Sequence, residues 1–307
     1  MGKSVGEGLS SPGGPPGADA AARARLVARL RGAGCVFAED EAALLLAASD
    51  DGRRLERLVA RRVAGEPLEQ VLGWAEFRGL RVRVAPGVFV PRRRTALLVT
   101  RALALLGVGA VDPEDGGAPS GRAGATGHGR ARRPVVVDLC CGTGALGMAL
   151  AGEAAAAGLS VELHAADVDA AAVACAAGNL AGVGAVHAGD LFDALPLGLR
   201  GRVDVLLANV PYVPSREIVH LPPEARDHEA RVALDGGPDG LDVLRRVVAG
   251  AAHWLARGGS LLSEVSEAQL DAAVSVLRGA GLDARPVHDD ATGATGVIGS
   301  RPEAGPS

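Results

Sequence analysis

The residues best suited to chemistry are Asn209-Val210-Pro211-Tyr212, which close the apolar run Val203-Asp204-Val205-Leu206-Leu207-Ala208. A side-chain amide at the tip of a buried strand, followed by a proline-stiffened turn and an aromatic ring, can hold a planar nitrogen. The Asn209 oxygen and the Val210 carbonyl can accept the two hydrogens of that nitrogen, and the Tyr212 ring can stack on its flat face. An amide nitrogen is a poor nucleophile because its lone pair is delocalised, so much of the rate gain would come from positioning it in line with an electrophile. No metal or covalent nucleophile is required.

The electrophile's binding site is expected upstream. Val135-Val136-Val137-Asp138-Leu139-Cys140-Cys141-Gly142-Thr143-Gly144 reads as a strand entering a glycine loop. Its glycines let the backbone pass close to a nucleoside-like ligand, and the helix that follows offers free N–H groups. Gly142, Gly144 and Gly147 also fit the dinucleotide spacing, so the loop alone is ambiguous. Asp138 decides the matter: its carboxylate would repel a pyrophosphate and attract the ammonium group of S-adenosylmethionine. Asp167, ending the next strand, can grip both ribose hydroxyls, whereas Asp169 is better placed to cap a helix. Gly189-Asp190-Leu191-Phe192 follows the third strand, where a side chain covers the adenine, and Leu191 is the choice. The predicted cofactor site is therefore Asp138, Cys140, Gly142, Thr143, Gly144, Asp167, Asp190, Leu191 and Asn209. Methyl transfer to nitrogen would fall to Asn209, Val210, Pro211 and Tyr212.

The chain that must position these groups has 307 residues, 48% of them hydrophobic but only 2% aromatic, so its core is built from Ala, Val and Leu. The formal net charge of -4 argues against coating nucleic acid, and no direct nucleic-acid partner is expected. The four cysteines, Cys35, Cys140, Cys141 and Cys175, lack CxxC or zinc-ligand spacing. No metal is expected, and a reduced, cytoplasmic protein is. No apolar run is long enough to span a bilayer, so no membrane association is expected.

Residues 1–18 are rich in Gly, Ser and Pro and read as a disordered tail. Residues 19–75 form a small helical domain, with apolar residues at helical spacing (Leu26, Val27, Leu30; Leu55, Leu58, Val59) and, over residues 20–64, nine arginines against six acids. Residues 76–92 read as a β-hairpin linker in which Leu80, Val82, Val84 and Val88 alternate with polar or small residues. Residues 93–307 alternate strands and helices, which argues a parallel sheet covered on both faces, with a flexible insertion over 107–133. Strands are predicted at Val135–Leu139, Val161–Ala166, Ala185–Ala188, Val203–Ala208, Ser260–Val265, Ala284–His288 and Gly296–Ser300. The closing pair after the last helix makes the fold class α/β: a class I S-adenosylmethionine-dependent methyltransferase fold with a mainly parallel seven-stranded sheet.

In this order the motifs resemble the protein-(glutamine-N5) methyltransferases that modify peptide chain release factors. The resemblance runs from the helical domain to the C-terminal strands. It includes Glu66-Pro67-Leu68-Glu69-Gln70-Val71-Leu72-Gly73 with Glu76-Phe77, Pro86-Gly87-Val88-Phe89-Val90-Pro91-Arg92, and Ala233-Leu234-Asp235-Gly236-Gly237-Pro238-Asp239-Gly240-Leu241. It implies a monomer that methylates a glutamine in the Gly-Gly-Gln loop of a release factor, with the helical domain docking that partner. The chain departs from the family pattern at four places. Val210 replaces the first proline of Asn-Pro-Pro-Tyr, Cys140 the first loop glycine, and Leu191 the usual aromatic adenine cover. Pro91-Arg92-Arg93-Arg94-Thr95-Ala96 stands for Pro-Arg-Pro-Glu-Thr-Glu. Two other readings share the motifs: an adenine-N6 nucleic-acid methyltransferase, and a degenerate cofactor-binding protein docking on the translation machinery.

Overall fold

The computed structural model describes residues 16–109 and 132–303. Most of the expected tail and of the expected 107–133 insertion lies outside the described residues. The chain divides into two compact units, ending and beginning at Leu72 and Gly73. The first holds α1 (Pro16–Gly32), α2 (Ala38–Ala47), α3 (Gly52–Val63) and the short α4 (Leu68–Leu72). Residues 16–18, expected in the tail, already belong to α1. The core of this unit joins Leu26 and Leu30 to Leu45, Val59 and Val71. Beside it the buried Arg62 donates to Glu41 over 2.6 Å.

The second unit opens with a hairpin of β1 (Trp74–Phe77) and β2 (Leu80–Arg83). Its two-residue turn, Arg78-Gly79, has φ of 50° and 74°, the left-handed pair that suits the twist of a tight hairpin. The ladder starts earlier and ends sooner than the alternation over 76–92 predicts. Val88 and Val90 are buried, but the prolines at 86 and 91 lack the N–H a ladder needs, and the stretch turns at Pro86 and makes an isolated bridge between Gly87 and Glu229. Arg78 fastens the hairpin by donating to Glu153 (2.5 Å) and to the Ala96 carbonyl (3.2 Å).

After α5 (Ala96–Leu105) come β3 (Val135–Leu139), α6 (Ala145–Ala156), β4 (Glu162–Asp167), α7 (Ala170–Asn179), β5 (Ala185–Ala188) and β6 (Val203–Ala208). Then follow α8 (Pro223–His228), α9 (Asp242–Trp254), β7 (Leu255–Glu264), α10 (Leu270–Gly279), β8 (Asp283–Asp289) and β9 (Ala294–Ser300). The seven-stranded sheet has the order β5-β4-β3-β6-β7-β9-β8, parallel except for β9, which pairs antiparallel with both β7 and β8. This is the class I methyltransferase arrangement. Alternate residues of β6 enter opposite cores: Val205 and Leu207 pack with α5 and α6, Leu206 and Ala208 with α9 and α10. β7 begins at Leu255, earlier than its apolar run suggests. Leu255 pairs with Val203 before a register shift at Gly258-Gly259, and a Cβ on Gly259 would lie 2.4 Å from the Val203 carbonyl oxygen.

Chain order reverses between β3 and β6, so the carboxyl ends of these two strands flank an open crevice. Replacing Arg78 with alanine releases the hairpin from α6, and a loss of about 1 kcal/mol is expected for this half-exposed ion pair. Urea denaturation of the two proteins measures it.

Candidate active site

Strand register brings the predicted residues together. Leu139 lies opposite Ala166 on one side and Ala208 on the other, so Cys140, Asp167 and Asn209 leave three adjacent strands at one level. They border a cavity of about 560 Å³ that is also lined by Asp138, Gly142, Thr143, Asp190, Leu191, Val210, Pro211 and Tyr212. Gly144 is the one predicted residue off the wall. With φ 75° it precedes α6 and donates its N–H to the Cys141 carbonyl, and a Cβ there would press on Leu180 at 3.0 Å. It shapes the loop rather than touching the cavity.

The loop is braced by carboxylates. Asp138 is buried and accepts the Gly147 N–H at 3.0 Å. Burial, and secondarily the nearby Asp167, push its pKa up to about 7 against the opposing Gly147 bond. Asp167 accepts the Gly142 N–H at 2.8 Å and the Asp169 N–H at 2.9 Å, and burial likewise raises its pKa. Asp169 caps α7 by accepting the Ala171 N–H. Asp190 faces Arg246 at 2.6 Å, and Leu191 starts a short 3-10 turn with φ 50°. Cys140 also has a left-handed φ, 54°, a conformation that costs a non-glycine residue about 1–2 kcal/mol. The family's glycine at this position would avoid that cost.

Asn209 carries the sharpest signal. Its Oδ1 is buried and has no hydrogen-bond partner among the described residues, an expensive state for an acceptor unless a ligand supplies the donor. The turn that follows is held firmly from behind. Val210 is 1% exposed and packed in the core under α9. Val213 donates its N–H to the Leu234 carbonyl and its own carbonyl accepts the Gly236 N–H, while Gln269 Nε2 donates to the carbonyls of Tyr212 and Asp239, each at 2.9 Å. The Gly-Gly-Pro-Asp-Gly segment is therefore the backing plate of the turn.

The acceptor side of the cavity holds groups that sequence reasoning missed. Glu264, the last residue of β7 and 4% exposed, accepts from Tyr212 OH (2.8 Å), Thr95 Oγ1 (2.5 Å) and Arg94 Nε (2.8 Å). Arg94 Nη2 also donates to the Tyr212 oxygen at 2.5 Å. Burial, then the Glu264 carboxylate, raise the Tyr212 pKa, so the phenol stays protonated. Buried Glu229 holds the neighbouring segment, accepting from Arg92 (2.6 Å) and the Val90 N–H (3.0 Å). An acid ending the strand beside β6 was the available clue to Glu264. Gln269 offered none.

Residues 129–221 match the family model of the methyltransferase small domain. The chain is 36% identical to the release factor glutamine methyltransferase of Streptomyces coelicolor, over 72% of this chain and 70% of that one. Against the enzyme of the same name from Bradyrhizobium diazoefficiens it is 31% identical, over 91% and 93%. It is also 35% identical to the 4-amino-L-phenylalanine/4-methylamino-L-phenylalanine methyltransferase of Streptomyces pristinaespiralis, over 77% and 75%. Among solved structures, the hMettl16 catalytic domain shares the fold, with a TM-score of 0.52 at 11% identity over 80% of this chain and 81% of that one. No helix among the described residues is long and apolar enough to cross a membrane.

A Cβ on Gly240, whose φ is 79°, would lie 2.2 Å from the Tyr212 carbonyl oxygen and 2.3 Å from Gln269 Nε2. Gly240→Ala is expected to cost about 2–4 kcal/mol, with lost activity beyond the loss of folded protein. Thermal unfolding alongside turnover separates the two effects.

Proposed function

Because the chain belongs to the release factor glutamine methyltransferase family, we propose that it transfers a methyl group from S-adenosylmethionine to the side-chain amide nitrogen of a glutamine, in the Gly-Gly-Gln loop of a peptide chain release factor. The observation that carries this reading is the buried, unpartnered Oδ1 of Asn209 at the cavity wall. A primary amide brings two N–H donors, and the unsatisfied acceptor needs one of them.

The cavity also suits the cofactor. Four carboxylates, Asp138, Asp167, Asp169 and Asp190, border it on the β3–β4–β5 side, and a ligand carrying an ammonium and a sulfonium is a cation. Asp138 would hold the ammonium, Asp167 the ribose hydroxyls and Leu191 the adenine face. When bound, S-adenosylmethionine supplies an electrophilic methyl group. Asn209 Oδ1 and the Val210 carbonyl accept the two N–H groups of the glutamine amide and fix the orientation of its nitrogen. The Tyr212 ring packs on the amide plane, and Glu264 and Arg94 hold its hydroxyl. The apolar walls supplied by Val210, Leu191 and Pro211 exclude water from the reacting nitrogen. The helical unit docks the release factor.

A second reading is favoured by Arg94, which stands beside Tyr212 where the family carries an acid. It is transfer to the amine of a free amino acid, the class of substrate for which the Streptomyces pristinaespiralis relative is named. Incubation with isotopically labelled methyl donor and either a purified release factor or free amino acids, followed by mass spectrometry, decides between the two. Label on the Gly-Gly-Gln glutamine supports the first reading, and its absence there rejects it.

Asn209→Ala is expected to lower turnover by roughly 10²-fold or more with little change in cofactor affinity, since a positioning contact is lost. Normal turnover of this variant would remove Asn209 from the mechanism. A pH dependence follows from Asp138. Its raised pKa means the ligand-free carboxyl is protonated below about 7, and an ammonium needs the carboxylate. Cofactor affinity therefore rises with pH up to about 7 and levels off above it, protons being released on binding in the acid range. Calorimetry over a pH series should show this acid limb, and Asp138→Asn should flatten it.

A further inference from the structure

Charge is divided across the cavity. Asp138, Asp167, Asp169 and Asp190 line the cofactor side, where Arg246 pairs with Asp190, and Arg92, Arg93 and Arg94 line the acceptor side, with Glu224 also on the cavity wall. The family segment at this wall has one base and two acids, whereas here it has three bases and no acid. Two of the arginines are already bound. Arg92 is held by Glu229, and Arg94 spends Nε on Glu264 and part of Nη2 on Tyr212 OH. Arg94 Nη1 has no protein acceptor among the described residues, and the side chain remains 50% exposed. Arg93 is exposed, and no acid among the described residues pairs with it. The wall thus offers a planar guanidinium, fixed at two of its nitrogens and open at the third, next to the ring proposed to stack on the acceptor.

We propose that Arg94 reads a carboxylate carried by the acceptor molecule close to its target nitrogen. The inference rests on the reading of this cavity as a site of methyl transfer to nitrogen. A guanidinium pinned in place binds carboxylates with little further loss of side-chain freedom, and its fork geometry suits two parallel N–H···O bonds. Asn209 then selects the nitrogen and Arg94 selects its neighbour. The carboxylate has two chemical sources: an acidic side chain adjacent to the glutamine in a protein loop, or the α-carboxylate of a free amino acid. The net charge of -4 and the enclosing protein walls weigh against a phosphate backbone as the anion.

The test uses the full chain with labelled methyl donor. Its acceptors are Gly-Gly-Gln peptides with Glu, Gln or Lys beside the target glutamine, and free amino acids with and without an amidated carboxylate. Binding of each is measured in parallel by calorimetry with S-adenosylhomocysteine present, so that slow turnover does not hide recognition. The carboxylated member of the peptide set, or of the amino-acid set, is expected to show about 10-fold higher kcat/KM and correspondingly tighter binding, chiefly through KM. Whichever set shows the preference identifies the source. Arg94→Glu should reverse it, so that the lysine peptide becomes the better ligand, a switch that a merely structural role of Arg94 would not produce. Arg94→Lys keeps Glu264 paired and guards against misfolding, and it should retain the preference in weakened form. Equal use of all members of both sets, or an unchanged ranking in folded Arg94 variants, overturns the proposal while leaving glutamine methylation intact. Methyl transfer to an adenine oligonucleotide in place of these acceptors overturns both.

Discussion

The register of three strands governs the site, because it sets which side chains emerge together at the crevice. Leu139 opposite Ala208 and Ala166 places the loop after β3, the acid ending β4 and the amide after β6 side by side. Strand spacing is about 4.8 Å, so neighbouring strand ends fall within reach of one bound molecule. A one-residue slip would carry Asn209 into or out of the sheet and exchange the two core faces of β6. The register is pinned by that alternation: Val205 and Leu207 belong to one apolar cluster, Leu206 and Ala208 to the other.

Around that fixed level the two halves of the cavity are supported differently. The cofactor side relies on backbone N–H groups drawn onto Asp138 and Asp167, which shape the loop at the cost of burying acids. The acceptor side relies on side chains converging on Glu264 from β7, the turn before α5 and the turn after β6. Tyr212 is therefore tied at its hydroxyl by Glu264 and at its carbonyl by Gln269, which leaves the ring little freedom. Val210 fits the same scheme. The rigidity a proline would bring by fixing φ is supplied here by burial and by the bonded Gly-Gly-Pro-Asp-Gly segment.

Local signals carried much of this in the sequence. The β3, β5 and β6 limits match the apolar runs, and the loop after β3 is marked by its glycines and by Asp138. Elements with mixed signals are less legible. Val84 and Val88 continue the alternation of Leu80 and Val82, yet β2 ends at Arg83 and only an isolated bridge of Gly87 with Glu229 follows among the described residues. The first half of β7 hides behind Arg257, Gly258 and Gly259, where pairing is set by the close approach of the Val203 carbonyl. Glu264 and Gln269 contact the turn after β6 from more than fifty residues away, a relation fixed by sheet order and invisible to local periodicity.

The position of β9 has a consequence for how the molecule is made. This strand is the last in the sequence but lies between β7 and β8, so during N-to-C synthesis β8 has no place in the sheet until β9 has emerged. Until then β7 presents a bare edge, and the strand that bears Glu264 at its tip is paired on one side only. The cofactor half, built from β3, β4 and β5, can assemble on the growing chain while the acceptor half waits. An exposed β7 edge is also the place where a stalled or truncated chain would recruit a foreign strand. The fold thus completes the wall around Glu264 and Tyr212 only after the β3–β4–β5 side of the cavity can already exist.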